Sequence, residues 1–189
     1  MTKISIVEAV EPAHVGAVAQ LMRDYLLWMR RRYRGHDDMI DAYFGEHDWE
    51  SELADLNGHY GAPFGAIVLA LVDGVPAGCV MLRGIGESVS EMKRLFVRPA
   101  FRGLGVARRM IDEIMKLSCK RGYDRMRLET SALQAEADAL YRSMGFASIP
   151  PYYACPDVLR ENGRFFETEP CAGHSRAPHP STSTGDLRL

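Results

Sequence analysis

The sequence predicts an α/β fold in a single domain, and three observations carry the prediction. Apolar runs with strand character alternate with stretches of helical apolar period, one strand runs directly into a glycine-bearing turn that opens a helix, and 189 residues suffice for one good core. With 47% hydrophobic and 25% charged residues, the chain reads as folded rather than disordered. A net charge of -2 gives it no bulk attraction for nucleic acid. No apolar run approaches the length of a membrane span, and the opening Met-Thr-Lys-Ile-Ser-Ile lacks the apolar stretch of a signal peptide, so the cytoplasm is the expected location.

The elements follow in order. Residues 4–10 read as a first strand, and Pro12 suits the first position of a helix. Val15, Val18, Met22, Leu26 and Met29 then recur at three- and four-residue spacing, which predicts a helix to about residue 33. It ends in Arg30, Arg31, Arg32 and Arg34, where cations suit the helix dipole. Residues 35–63 carry Asp37, Asp38, Asp41, Glu46, Asp48, Glu50, Glu52 and Asp55 among Met39, Tyr43, Phe44 and Trp49. Such a segment reads as a surface helix with an acidic outer face or as a carboxylate-rich surface that attracts cations.

Residues 65–72 form a continuous apolar run, Asp73-Gly74 predicts a type I′ hairpin turn, and residues 75–82 supply the partner strand. A further strand over 88–97 carries Glu91 and leads into the turn. Val106, Met110, Ile111, Ile114 and Leu117 share one face of a helix predicted over 103–121, and Gly122 follows as its cap. Residues 125–130 alternate polar with apolar as a strand, and residues 134–144 read as a helix closed by Gly145. From residue 169 the chain is rich in Pro, Ser, Thr, Gly and Ala, which predicts a tail without a packed core. Cys79, Cys119, Cys155 and Cys171 lie far apart with no Cys-x-x-Cys pair and are read as free thiols. The six histidines show no ligand spacing, so no metal is expected.

The turn at 102–108 has the makings of a phosphate cradle. Gly103 and Gly105 let backbone approach a ligand closely, and the unpaired N–H groups of the following helix point at it with the dipole behind them. A Walker loop would need Gly-Lys-Ser/Thr where Gly105-Val106-Ala107 stands, and a Rossmann fingerprint would need a third glycine. The remaining pattern, Arg102-x-x-Gly105-x-Ala107 preceded by Val97-Arg98-Pro99, resembles the acetyl-CoA loop of the GNAT superfamily of N-acetyltransferases. Leu140-Tyr141-Arg142-Ser143-Met144-Gly145-Phe146, about thirty-five residues on, resembles the Leu-Tyr-x-x-x-Gly-Phe segment of the same superfamily. The resemblance covers about residues 3–168, and Glu91 to Leu95 with Pro150-Pro151-Tyr152-Tyr153 look like a bacterial subgroup of undefined acceptor.

That resemblance implies the GNAT fold, a mixed central sheet of about six or seven strands flanked by about four helices. It implies an acyltransferase that moves an acetyl group from acetyl-CoA to a primary amine, a small amine or amino acid, in a ternary complex. Rival readings are acetylation of a protein N-terminus or lysine, and an acyl-CoA-binding regulatory module without turnover. Partners are acetyl-CoA and the acceptor, with no nucleic acid and no membrane; a homodimer is compatible with the reading. By the same resemblance, Leu95, Phe96 and Val97 pair with the pantetheine arm, and Arg102, Gly103, Leu104, Gly105, Val106, Ala107 and Arg108 hold the pyrophosphate. Tyr141 is the expected proton donor to the leaving thiolate and Glu91 the expected base. Tyr152 and Tyr153 would wall the acceptor pocket, since two prolines stiffen the chain before them. Where many superfamily members place an asparagine against pantetheine, this chain reads Thr130-Ser131-Ala132-Leu133-Gln134.

Overall fold

A computed structural model of the chain describes residues 2–45 and 49–172. The apolar runs become seven strands of one sheet, in the order β1-β2-β3-β4-β5-β7-β6. They are β1 (Ile4–Glu8), β2 (Ala66–Val72), β3 (Val75–Gly84), β4 (Val89–Val97), β5 (Arg125–Ser131), β6 (Ala147–Ile149) and β7 (Gly163–Thr168). Neighbours are antiparallel except β4 and β5, which are parallel because helix α5 (Val106–Lys120) crosses over between them. The other helices are α1 (Pro12–Arg32), α2 (Asp37–Gly45), α3 (Trp49–Ala54), α4 (Leu56–Tyr60), α6 (Ala135–Ser143) and α7 (Asp157–Asn162). The acidic segment is thus several short helices rather than one, and α7 adds another, so helices outnumber the expected four.

Both faces of the sheet are covered, which is why residues 65–72 read as continuously apolar rather than alternating. Val68, Ala70 and Val72 pack on one side with Met110, Ile111 and Ile114 of α5. Ile67 and Leu69 pack on the other with Leu21, Met22 and Tyr25 of α1. Each fully buried Leu, Ile or Met side chain contributes about 1.5–3 kcal/mol. Asp73 and Gly74 both take positive φ, 50° and 82°, as the predicted type I′ turn requires. Helix α5 starts at Val106, not at 103, because Gly103 and Gly105 sit at φ 78° and 77°, outside the right-handed helical region.

Two irregularities in β4 position the site. Its pairing with β3 passes from Met81↔Lys93 to Cys79↔Phe96, so Val80 alone stands opposite Arg94 and Leu95. At this bulge Arg94 takes φ 58°, uncommon for a long side chain. In addition, β4 pairs with β5 only over residues 89–92 and 125–128, and past Met92 no pairing between them continues among the described residues. The strands part there, with β5 held by β7 on its far side.

The thiol expectation is corrected. Cys119 near the end of α5 and Cys171 beyond β7 form a disulfide across a sequence separation of 52, with Cα atoms 5.0 Å apart, while Cys79 and Cys155 keep their thiols. The separation left no motif to read; only the return of β7 past α5 joins them. Of the expected tail, residues 169–172 are described, with Pro170 buried within the turn that follows β7, and residues 173–189 lie outside the described residues. No described helix is long and apolar enough to cross a membrane.

Candidate active site

Where β4 and β5 part, a groove opens against α1, the glycine turn and α6. Of the ten residues expected to hold the cofactor, nine line it: Leu95, Phe96, Val97, Arg102, Gly103, Gly105, Val106, Ala107 and Arg108. Leu104 does not, and its side chain is exposed. The first helical bond of α5 runs from the Arg109 N–H to the Gly105 carbonyl at 3.2 Å, so the N–H groups of residues 106–108 have no intrahelical acceptor. A Cβ at Gly103 or Gly105 would meet nothing within 4 Å, so backbone conformation rather than space demands glycine there. A pyrophosphate fits this end of the groove and an extended amide arm fits the unpaired stretch of β4.

Residues outside the expected set complete the groove. Trp28 and Arg32 of α1, Tyr33 just after it and Gln134 just before α6 line it. Arg102 donates from Nε to the Val97 carbonyl at 3.1 Å and lies 4.2 Å from the Trp28 ring centroid. Burial and the neighbouring Arg32 charge pull its guanidinium below the usual arginine range, so an arriving anion relieves a repulsion between cations.

A second, inner cavity adjoins the groove, and Tyr25, Leu95 and Gln134 line both. Tyr141 of α6 stands in its wall, buried against Phe146 and Phe166 at ring distances of 5.7 and 6.0 Å. Burial, with Tyr25 and Tyr43 nearby, raises its phenol above the ordinary tyrosine range, which keeps the proton on at neutral pH. From the opposite side come Tyr43 of α2, Arg94 of β4 and Glu129 of β5.

Glu91 is placed otherwise than expected. Its Oε2 accepts from Arg83 Nε at 2.7 Å, its Oε1 accepts from Tyr152 Oη at 2.6 Å, and Lys93 Nζ lies 3.5 Å away. Burial pushes its carboxyl up, but Lys93, Arg83 and the tyrosine hydrogen bond together hold it below the usual range. A buried carboxylate so engaged is a weak base, and it is not part of the cavity lining. Tyr152 and Tyr153 also leave the lining. Each instead braces a carboxylate, Tyr153 donating to Glu129 Oε2 at 2.6 Å. The acidic segment does not wall the cavity through Asp37 and Asp41 either, since both pair with Arg30 and are exposed.

Glu129 lines the cavity and was not among the residues singled out from the sequence. The alternation of β5 put it on the polar face with Arg127, but only the parting from β4 turns that face into a cavity. The Arg94–Glu52 pair was missed too, because nothing in the acidic segment marks Glu52 as its buried member.

The split of the parallel β4–β5 pair beside a glycine turn and a helix N-terminus fits an acyltransferase. The chain belongs to the acetyltransferase (GNAT) family, whose model matches residues 19–146. It is 39% identical over 109 residues to an uncharacterised N-acetyltransferase of Schizosaccharomyces pombe, covering 57% of this chain and 67% of that one. It is 31% identical over 131 residues to the human N-acetylaspartate synthetase, covering 67% and 43%. This chain thus spans about two thirds of the first relative's length and less than half of the second's. Among solved structures, an acetyltransferase from Streptococcus agalactiae superposes with TM-score 0.68 at 18% identity over 88% of this chain and 98% of that one. A PaiA N-acetyltransferase from Thermoplasma acidophilum, solved with coenzyme A, gives 0.65 at 15% over 88% and 99%.

Proposed function

We propose that the protein transfers the acetyl group of acetyl-CoA directly to a primary amine, with both substrates bound at once. The observation that carries this reading is the meeting of the groove and the cavity at Tyr25, Leu95 and Gln134, with Tyr141 and Glu129 in the inner wall. Acetyl-CoA supplies, when bound, an acyl group activated as a thioester and a thiolate that can leave. The β4 backbone beyond the bulge offers N–H groups to the carbonyl oxygen on which charge develops. Glu129 takes the proton that turns the bound ammonium into a free amine and passes it to solvent; the amine then bonds to the carbonyl carbon, and as the C–S bond breaks the Tyr141 hydroxyl gives its proton to the sulfur and is restored by the proton that the nitrogen sheds. Glu91 positions rather than reacts: it fixes Tyr152 beside the Tyr153–Glu129 pair.

Release of free CoA thiol, followed with pooled amines, amino acids, polyamines and peptides, tests the reading. Amine-dependent release should fall at least about 100-fold in Tyr141→Phe while acetyl-CoA affinity is retained. Tight acetyl-CoA binding with no release from any pool would overturn it in favour of a binding module.

A further inference from the structure

The guanidinium of Arg94 is held like a component of a receptor rather than of a core. Its side chain is fully buried. Nε donates to Glu52 Oε1 at 2.9 Å and Nη2 to Glu52 Oε2 at 2.7 Å, while Tyr60 donates a further hydrogen bond of 2.6 Å to the same carboxylate. The rings of Tyr43, Phe44 and Trp49 surround its Cζ, with centroids at 4.9, 5.0 and 5.3 Å. One nitrogen is left over. Nη1 is buried with no hydrogen-bond partner, the one such side-chain atom among the described residues. Leaving a buried charged donor unpaired costs about 1–3 kcal/mol or more, so a fold that keeps it calls for an occupant that removes the penalty.

The place of that residue indicates which occupant. Arg94 lines the same inner cavity as Tyr141 and Glu129. Glu52 and the aromatic rings take the rest of the guanidinium, so a ligand in the cavity is offered a donor and no acceptor there. We propose that the acceptor is an amino acid whose carboxylate is received by Nη1 of Arg94, while its amino group lies toward Glu129. This rests on the acetyl-transfer reading above and narrows it to a substrate class.

Charge balance agrees. Arg94 and Glu129 are the charged residues of the cavity lining, and the buried ion pairs beside them, Arg94–Glu52 and Glu91 with Arg83 and Lys93, bring the set to three carboxylates and three cations. A zwitterion adds no net charge to this balanced, buried set, whereas a simple ammonium or a diamine adds one or two. The bulge is what makes the anchor available. At φ 58° the Arg94 residue departs from the alternation of β4, so it shares a side with Lys93, and the bidentate hold of Glu52 fixes it there.

Matched acceptors test the proposal. Acetyl transfer by the wild-type protein is compared between the twenty common L-amino acids and the amines formed by removing their α-carboxyl groups, with equilibrium dialysis measuring acetyl-CoA binding in parallel. A site built to pair a carboxylate rejects the analogue that lacks it, so at least one amino acid should exceed its amine by about 100-fold or more in kcat/KM. Arg94→Lys keeps a cation opposite Glu52 and removes the Nη1 donor; it should collapse that preference by raising KM for the amino acid far more than KM for its amine. Should that variant fail to fold, the wild-type comparison decides alone. Amines acetylated as well as amino acids would overturn the proposal and leave the acetyltransferase reading standing. If nothing is acetylated, calorimetric titration of the same amino acids into CoA-loaded protein separates the two. Carboxylate-dependent binding would uphold the anchor and sink the transfer reading, and no binding would sink both.

Discussion

The two glutamates near the cavity differ in what their neighbours let them do, and that difference is measurable. Glu91 lies in a buried ion pair that lowers its pKa, so its contribution to stability is present above the ordinary carboxylate range, near about 4.3, and is lost as pH falls through its folded value. Glu91→Gln should therefore cost about 3 kcal/mol in urea unfolding at pH 7, and the gap from wild type should close at acid pH. Turnover per folded molecule should change little. Glu129→Gln should do the reverse, lowering kcat about 100-fold with nearly unchanged unfolding. If Glu91→Gln alone removed the acid-side limb of the pH–rate profile, the two assignments would have to be exchanged. Sequence alone offered both residues on polar positions of neighbouring strands. It offered Glu91 as the base only through a family habit, because the partners that quench it, Arg83 and Tyr152, come from other strands and loops.

Single elements were legible wherever a local pattern sufficed. The Asp73-Gly74 hairpin, the amphipathic α5 and the glycine turn depend on residues within a turn or two, and the chain spells each out. What the chain does not spell out arises between elements: the division of residues 35–60 into α2, α3 and α4, the Arg94 bulge, and the early end of β4–β5 pairing. At the turn, Gly105→Ala places a Cβ in open space but on a residue at φ 77°, so its cost is conformational. It should destabilise by about 1–2 kcal/mol and weaken acetyl-CoA binding through the misaimed first turn of α5. Equilibrium dialysis with acetyl-CoA measures the second effect; unchanged affinity would remove the turn from the binding site.

On the scale of the whole molecule, the Cys119–Cys171 bridge ties the far end of α5 to the chain leaving β7, opposite in sequence from the glycine turn at the start of that helix. Cysteine counting in denaturant should find two reactive thiols before reduction and four after. Cys171→Ser should cost about 2–4 kcal/mol, since it frees a long loop in the unfolded chain. Detection of four thiols in unreduced protein would remove the bridge. The wall shared by groove and cavity has a consequence of its own. Because Tyr25, Leu95 and Gln134 line both, one molecule joining CoA sulfur to acceptor nitrogen through a two-carbon link would occupy groove and cavity together. Its second half would bind at an effective concentration set by the tether rather than by the solution, for a gain of about 100- to 10,000-fold over either half alone. To such a compound the protein presents not two sites but one long bivalent receptor.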